Sequence, residues 1–134
     1  MFSENFPVGM LLKLNALIEA VRVDLSPKSK LDIHKDEFGF YLQKSDTCGL
    51  YFGCWLDFWE NNSYPLCFGI QYASTEVRDA FVRSLRNVYE QDAVFQGDWT
   101  MGWIPEQEIS SPLAVKLISS KLGLIWQSMS EVDG

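Results

Sequence analysis

A chain of 134 residues suits one ordinary domain, and a hydrophobic share of 47% supplies a core, which argues against a disordered segment. Eleven basic residues against eighteen acidic ones leave a net charge of −7, so direct nucleic-acid binding, which needs clustered Lys and Arg, is not expected. The three cysteines are an odd count that fits a reducing compartment, the cytoplasm, better than a disulfide framework.

Residues 1–7 lack the basic start and apolar stretch of a signal peptide. The apolar run Met10-Leu11-Leu12 is soon interrupted by Lys13 and Asn15, so no membrane span is expected. Met10, Leu14, Leu17 and Val21, with Leu11, Ile18 and Leu25, recur at helical spacing and predict an amphipathic first helix. Pro27 should end it. Two short strands are expected next, at residues 31–34 and 38–42, around a turn at Lys35-Asp36-Glu37.

Residues 50–60 and 66–72 are rich in aromatic and branched apolar side chains and flank the polar turn Glu60-Asn61-Asn62-Ser63-Tyr64-Pro65, the pattern of a β-hairpin. Ser74 or Thr75 should cap a helix with Glu76 in its first turn and Val77, Ala80, Phe81, Leu85 and Val88 on its buried side. Gln96-Gly97-Asp98 reads as a turn into a strand over residues 99–104. Ser111-Pro112 starts the last helix, with a bend expected at Gly123. The whole, residues 1–134, reads as a single α+β domain: an antiparallel sheet of about five strands with helices mainly on one face.

Strand alternation over residues 50–59 places Leu50, Phe52, Cys54, Leu56 and Phe58 on a core face, and Tyr51, Gly53, Trp55, Asp57 and Trp59 on the other. Asp57 between two tryptophans is either a ligand anchor with a pKa raised by desolvation or a carboxylate paired at the sheet edge. If helices cover one side only, Tyr51, Trp55 and Trp59 form an exposed aromatic patch suited to an interface; the alternative is that the last helix covers them.

Cys48, Cys54, Cys67 and His34 lack zinc-site spacing and read as buried thiols beside a lone histidine, so no metal is expected. Asp79 with Arg83 and Arg86 with Glu90 have the spacing of helical ion pairs, leaving Arg78, Arg83 and Arg86 on a solvated face. Gly39, Gly49, Gly53 and Gly69 form no phosphate-binding motif, and no Gly-x-Ser-x-Gly elbow exists, so neither catalytic residues nor a cofactor are indicated.

The run Tyr51-Phe52-Gly53-Cys54-Trp55-Leu56-Asp57-Phe58-Trp59-Glu60, closed by Tyr64-Pro65-Leu66-Cys67-Phe68-Gly69-Ile70, resembles a segment near the C-terminus of bacterial proteins of the PD-(D/E)XK nuclease superfamily. The likeness extends over residues 38–106. The nuclease signature itself is missing, because no acidic residue has a lysine two positions later; Glu76-x-Arg78 is the nearest approach. The resemblance implies a stand-alone accessory region, with bacterial or phage nucleic-acid processing or defence as its setting. The expected function is a non-catalytic domain that binds a protein partner through Tyr51, Trp55, Trp59 and Trp103, with Asp57 fixing orientation. Two alternatives stand beside it: a small-ligand protein or diverged enzyme using Asp57 and Glu60, and an acidic decoy that occupies a nucleic-acid-binding groove on another protein.

Overall fold

The computed structural model describes residues 8–29, 32–36 and 38–133. The readings made for residues 1–7, Leu31 and Glu37, and for the side chain of His34, lie outside what it describes. The elements run α1 (Val8–Ser29), β1 (Asp32–Asp36), β2 (Gly39–Ser45), β3 (Cys48–Gly53), α2 (Leu56–Asn62), β4 (Cys67–Ile70), α3 (Thr75–Tyr89), β5 (Val94–Gln96), β6 (Trp99–Trp103), α4 (Glu106–Ile109) and α5 (Ala114–Val132). The strands form one antiparallel six-stranded sheet in the order β1-β2-β3-β4-β6-β5. This is the α+β architecture read from the sequence, with β5 as an added edge strand.

Leu11, Leu14, Ile18, Val21 and Leu25 are separated by three or four residues, so α1 buries them along one stripe. Pro27 does not stop this helix. It lies in the last turn, where its missing N–H forfeits one bond to the Val23 carbonyl. Ser74 caps α3 by accepting the Val77 N–H at 3.3 Å, and Glu90 closes it in the left-handed region at φ 54°. That closure separates Arg86 from Glu90, and the Arg86 guanidinium instead meets Asp92 at 3.1 Å.

The last helix starts later than Ser111-Pro112 implies: α5 begins at Ala114, with the Ser111 hydroxyl accepting the Leu113 N–H at 3.1 Å. It runs unbroken through Gly123. Its C-terminal carbonyls are capped from the sheet, because Lys44 Nζ donates to the carbonyls of Ser130 at 2.6 Å and Asp133 at 2.9 Å. The Asp133 carboxylate accepts from the Ser45 hydroxyl at 3.2 Å, so the β2–β3 turn and the end of α5 are tied in both directions.

One sheet face carries Phe40, Leu42, Leu50, Phe52, Phe68 and Ile70, and these merge with the buried stripes of α1, α3 and α5 into the main core. Phe40, Phe52, Phe68 and Gly102 are successive cross-strand partners. A Cβ at Gly102 would stand 2.5 Å from Leu85 Cδ1, so this glycine lets α3 settle closely on the sheet.

Glu108 of α4 is buried and accepts from the Tyr89 hydroxyl and from Lys121 Nζ, both at 2.8 Å, while the Lys121 ammonium sits 4.6 Å from the Tyr89 ring centroid. Beside it Gln91 lies against β6, its amide donating to the Trp103 carbonyl at 2.8 Å and accepting the Trp103 N–H at 3.1 Å.

Three substitutions at two positions test this packing. Gly53→Ala should lower stability by roughly 1–3 kcal/mol, since its Cβ would press on the Phe38 carbonyl and lie 2.7 Å from the Gly39 Cα. Glu108→Ala should cost about 1–3 kcal/mol by stranding the buried Tyr89 hydroxyl, while Lys121, whose side chain is 32% exposed, turns to water. Glu108→Gln keeps an acceptor and should cost less. Urea-unfolding midpoints measure all three.

Candidate functional site

Strand β3 stops at Gly53, and the chain then forms α2 rather than continuing the expected hairpin strand to Glu60. The reason is local. Trp55, Phe58 and Trp59 have helical spacing, Asp57 occupies the first turn, and Ser63 closes the helix at φ 66° with its N–H donated to the Trp59 carbonyl. The alternation proposed for residues 50–59 therefore ends at Gly53. Phe58, assigned to the main core face, turns to the second face with Tyr51, Cys67 and Met101. Trp59, assigned to the second face, packs half-buried against the main core.

The second sheet face is aromatic and is built on glycines. Tyr41, Tyr51, Gly69 and Met101 are successive cross-strand partners, and Gly39, Gly53, Cys67 and Trp103 form the neighbouring row. Gly39, Gly49, Gly53 and Gly69, which form no sequence motif, all belong to this face. Larger side chains lie across them: Tyr51 over Gly39 and Gly53, Gln43 over Gly49, Met101 over Gly69. The rings then touch in a chain. Tyr41 and Tyr51 have centroids 5.2 Å apart, Tyr51 and Trp99 5.9 Å, and Trp99 and Trp55 5.5 Å, the last two edge to face. Tyr64 stacks on Trp103 at 4.5 Å and 14°.

Helix α2 covers part of this face through the fully buried Phe58. The long helices α1, α3 and α5 lie on the other side, so the final helix leaves the aromatic face uncovered. A trough of about 130 Å³ remains, walled by Tyr41, Tyr51, Tyr72 and Trp99 over Gly49 and Gly69, with Gln43, Gln71 and Asp46 at its rim. Tyr72 is 72% exposed and held at φ 57°, a left-handed conformation that disfavours a bulky side chain.

The residues singled out from the sequence thus separate. Tyr51, Trp55 and Trp103 belong to the aromatic face, Trp59 to the main core, and Asp57 is exposed on α2. Tyr51 is buried and the three tryptophans half-buried, so they do not form the exposed patch expected of Tyr51, Trp55 and Trp59. Tyr41, Trp99 and Tyr72 complete the trough and were missed. Tyr41 and Trp99 are strand residues of the same parity as their partners Tyr51 and Gln96, a signal legible once the pairing is known. Asp57 and Glu60, placed on opposite strand faces by the hairpin reading, are instead three apart on a helix and share one flank. Both are exposed, and among the described residues no group of three His, Cys, Asp or Glu side chains gathers as a metal would require. No helix among the described residues is long and apolar enough to cross a membrane.

Comparison with protein-family models, curated proteins and solved structures finds no match to this chain.

The three cysteines are buried and free. Burial pushes the Cys48 and Cys54 thiols up to about 11, Cys48 with a further contribution from Asp133, and raises Cys67 and the Tyr89 hydroxyl still further. Groups with raised folded-state pKa values stabilise the fold fully below their unfolded values. That contribution is lost as pH climbs through the interval up to the folded ones. Stability in reducing buffer should therefore hold to about pH 9 and then fall by roughly 1.4 kcal/mol per pH unit for each thiol titrating only in the unfolded chain. Urea midpoints across that range, with and without Cys54→Ala, measure the slope; a flat profile would contradict thiol burial.

Proposed function

We propose that this chain is a non-catalytic, protein-binding domain whose partner seats on the uncovered part of the aromatic face. The observation that carries the reading is Tyr72. This ring is largely solvent-exposed and held in a left-handed backbone beside the trough, at a cost of roughly 1–2 kcal/mol that no core contact offsets. Tyr41 and Trp99, both half-buried, add rigid contact area at small entropic cost, with the buried Tyr51 ring packed between them. The trough between these rings has room for a small apolar knob, such as a proline or a branched aliphatic side chain, and Gln71 at its rim offers an amide to the partner backbone. A net charge of −7 favours a partner with a basic surround. Trp55 supports the face by contacting Trp99, and Asp57 lies outside the trough, available to a partner that also reaches over α2.

The resemblance of residues 51–70 to an accessory region of PD-(D/E)XK nuclease proteins supports a bacterial or phage setting in nucleic-acid processing or defence, inside the cytoplasm. In that setting this domain contacts a protein component rather than the nucleic acid.

Tyr72→Gly separates binding from folding. Glycine accepts the left-handed backbone, so the variant should be more stable by roughly 1 kcal/mol while losing partner binding. A photo-crosslinking residue at position 72 should give a discrete adduct in extract of the native host, absent from the same residue at Leu117 on α5. Undiminished binding by Tyr72→Gly, or equal adducts from both positions, would overturn the reading.

A further inference from the structure

A second concavity lies away from the aromatic face, between the end of α1, strand β2 and helix α5. Its volume is about 530 Å³, within the usual range for small-molecule sites. Leu25, Leu42, Leu124 and Trp126 supply apolar walls. Gly123 keeps the floor open, since a Cβ built there meets nothing within 4 Å.

Ser119 and Ser130 are among the residues that line this groove, and their hydroxyl oxygens are buried beside it without a hydrogen-bond partner. Ser119 is only 2% exposed. A helical serine has a local remedy, which two neighbours take: the Ser128 hydroxyl donates to the Leu124 carbonyl at 3.2 Å, and that of Ser110 to the Glu106 carbonyl at 3.0 Å. Ser119 and Ser130 do not make that bond, and each unpaired hydroxyl costs about 1–3 kcal/mol.

Ser119, Gly123, Trp126 and Ser130 follow one another at steps of four, three and four, which places them on one stripe of α5. The two serines are separated by about 16 Å along the helix axis. A groove of about 530 Å³ has room for one hydrocarbon chain laid along that stripe. Lys44, the charged residue among the described lining residues, is already engaged by the Ser130 and Asp133 carbonyls and lies 3.7 Å from the Asp133 carboxylate. An anionic head group therefore gains little here, and the groove suits a neutral one.

We propose that this groove binds a neutral single-chain amphiphile, a long-chain alcohol or its ester or amide. Its hydrocarbon lies along Leu25, Leu42, Leu124 and Trp126, and its polar groups meet the Ser119 and Ser130 hydroxyls, which reorient by rotation about a single bond.

The test uses the full chain with N-phenylnaphthylamine as a neutral fluorescent probe and dodecanol as competitor. Dodecanol should displace the probe, and dodecanoate should do so about tenfold less well at neutral pH. Gly123→Leu fills the floor and should weaken dodecanol by about tenfold or more while the melting temperature is kept; if it fails to fold, Gly123→Ala, a better helix former than glycine, takes its place. Amide chemical-shift changes on adding dodecanol should cluster at Leu42, Ser119, Gly123 and Ser130. Ser119→Ala should raise the melting temperature of the free protein and weaken dodecanol. Undiminished binding by the Gly123 variants, shifts centred on Tyr41 and Trp99, dodecanoate binding as well as dodecanol, or a destabilised Ser119→Ala would each overturn the proposal.

Discussion

A sheet has two faces, and in this protein a single face receives all three long helices. Phe40, Phe52 and Phe68 align across β2, β3 and β4, and Gly102 beside them allows α3 to approach. This close apolar contact is what the remaining architecture depends on. Once α1, α3 and α5 are on that side, the helix that shields the opposite side among the described residues is the seven-residue α2. The aromatic face is the remainder of that allocation. Its glycines let Tyr51 and Met101 lie flat over the strands, so rings cover the backbone where a helix layer does not.

Much of the α+β plan was legible because the long helices carry clean periodicity. Val77, Phe81 and Leu85 recur at a spacing of four, and Ser74 marks the start of their helix. The segment after Gly53 was not legible in the same way. Leu56-Asp57-Phe58-Trp59 is short and aromatic, and over four residues a helix turn and a strand cannot be told apart by pattern. Composition favoured the strand, and tertiary packing decided for the helix, because Phe58 and Trp59 then reach opposite sides of the sheet end. The candidate site inherited this error. Tyr51 and Trp55 lay within the correctly read strand or next to its end, whereas Trp59 depended on alternation that stops six residues earlier. Tyr72 could not be found at all, since a left-handed tyrosine leaves no trace in the sequence.

The polar side chains with most structural consequence join elements distant in the chain. Lys44 and Asp133 tie a sheet turn to the end of the last helix, and Glu108 links α3, α4 and α5 through Tyr89 and Lys121. Each joins partners that acquire meaning only when the chain is folded. Sequence spacing gives ion pairs within one helix, and the Arg86 pairing shows the limit of that rule: a left-handed residue at Glu90 redirects the chain and substitutes Asp92 as the partner.

Gln91 limits where another polypeptide can pair with β6. Strand β5 ends level with Met101, leaving the outward amide and carbonyl of Trp103 without a neighbouring strand. The Gln91 side chain fills both positions with the donor and acceptor that an incoming backbone would offer. At Trp103, beyond the end of β5, the sheet is therefore closed to strand addition. Association there would first have to displace an amide that already holds both backbone groups of Trp103.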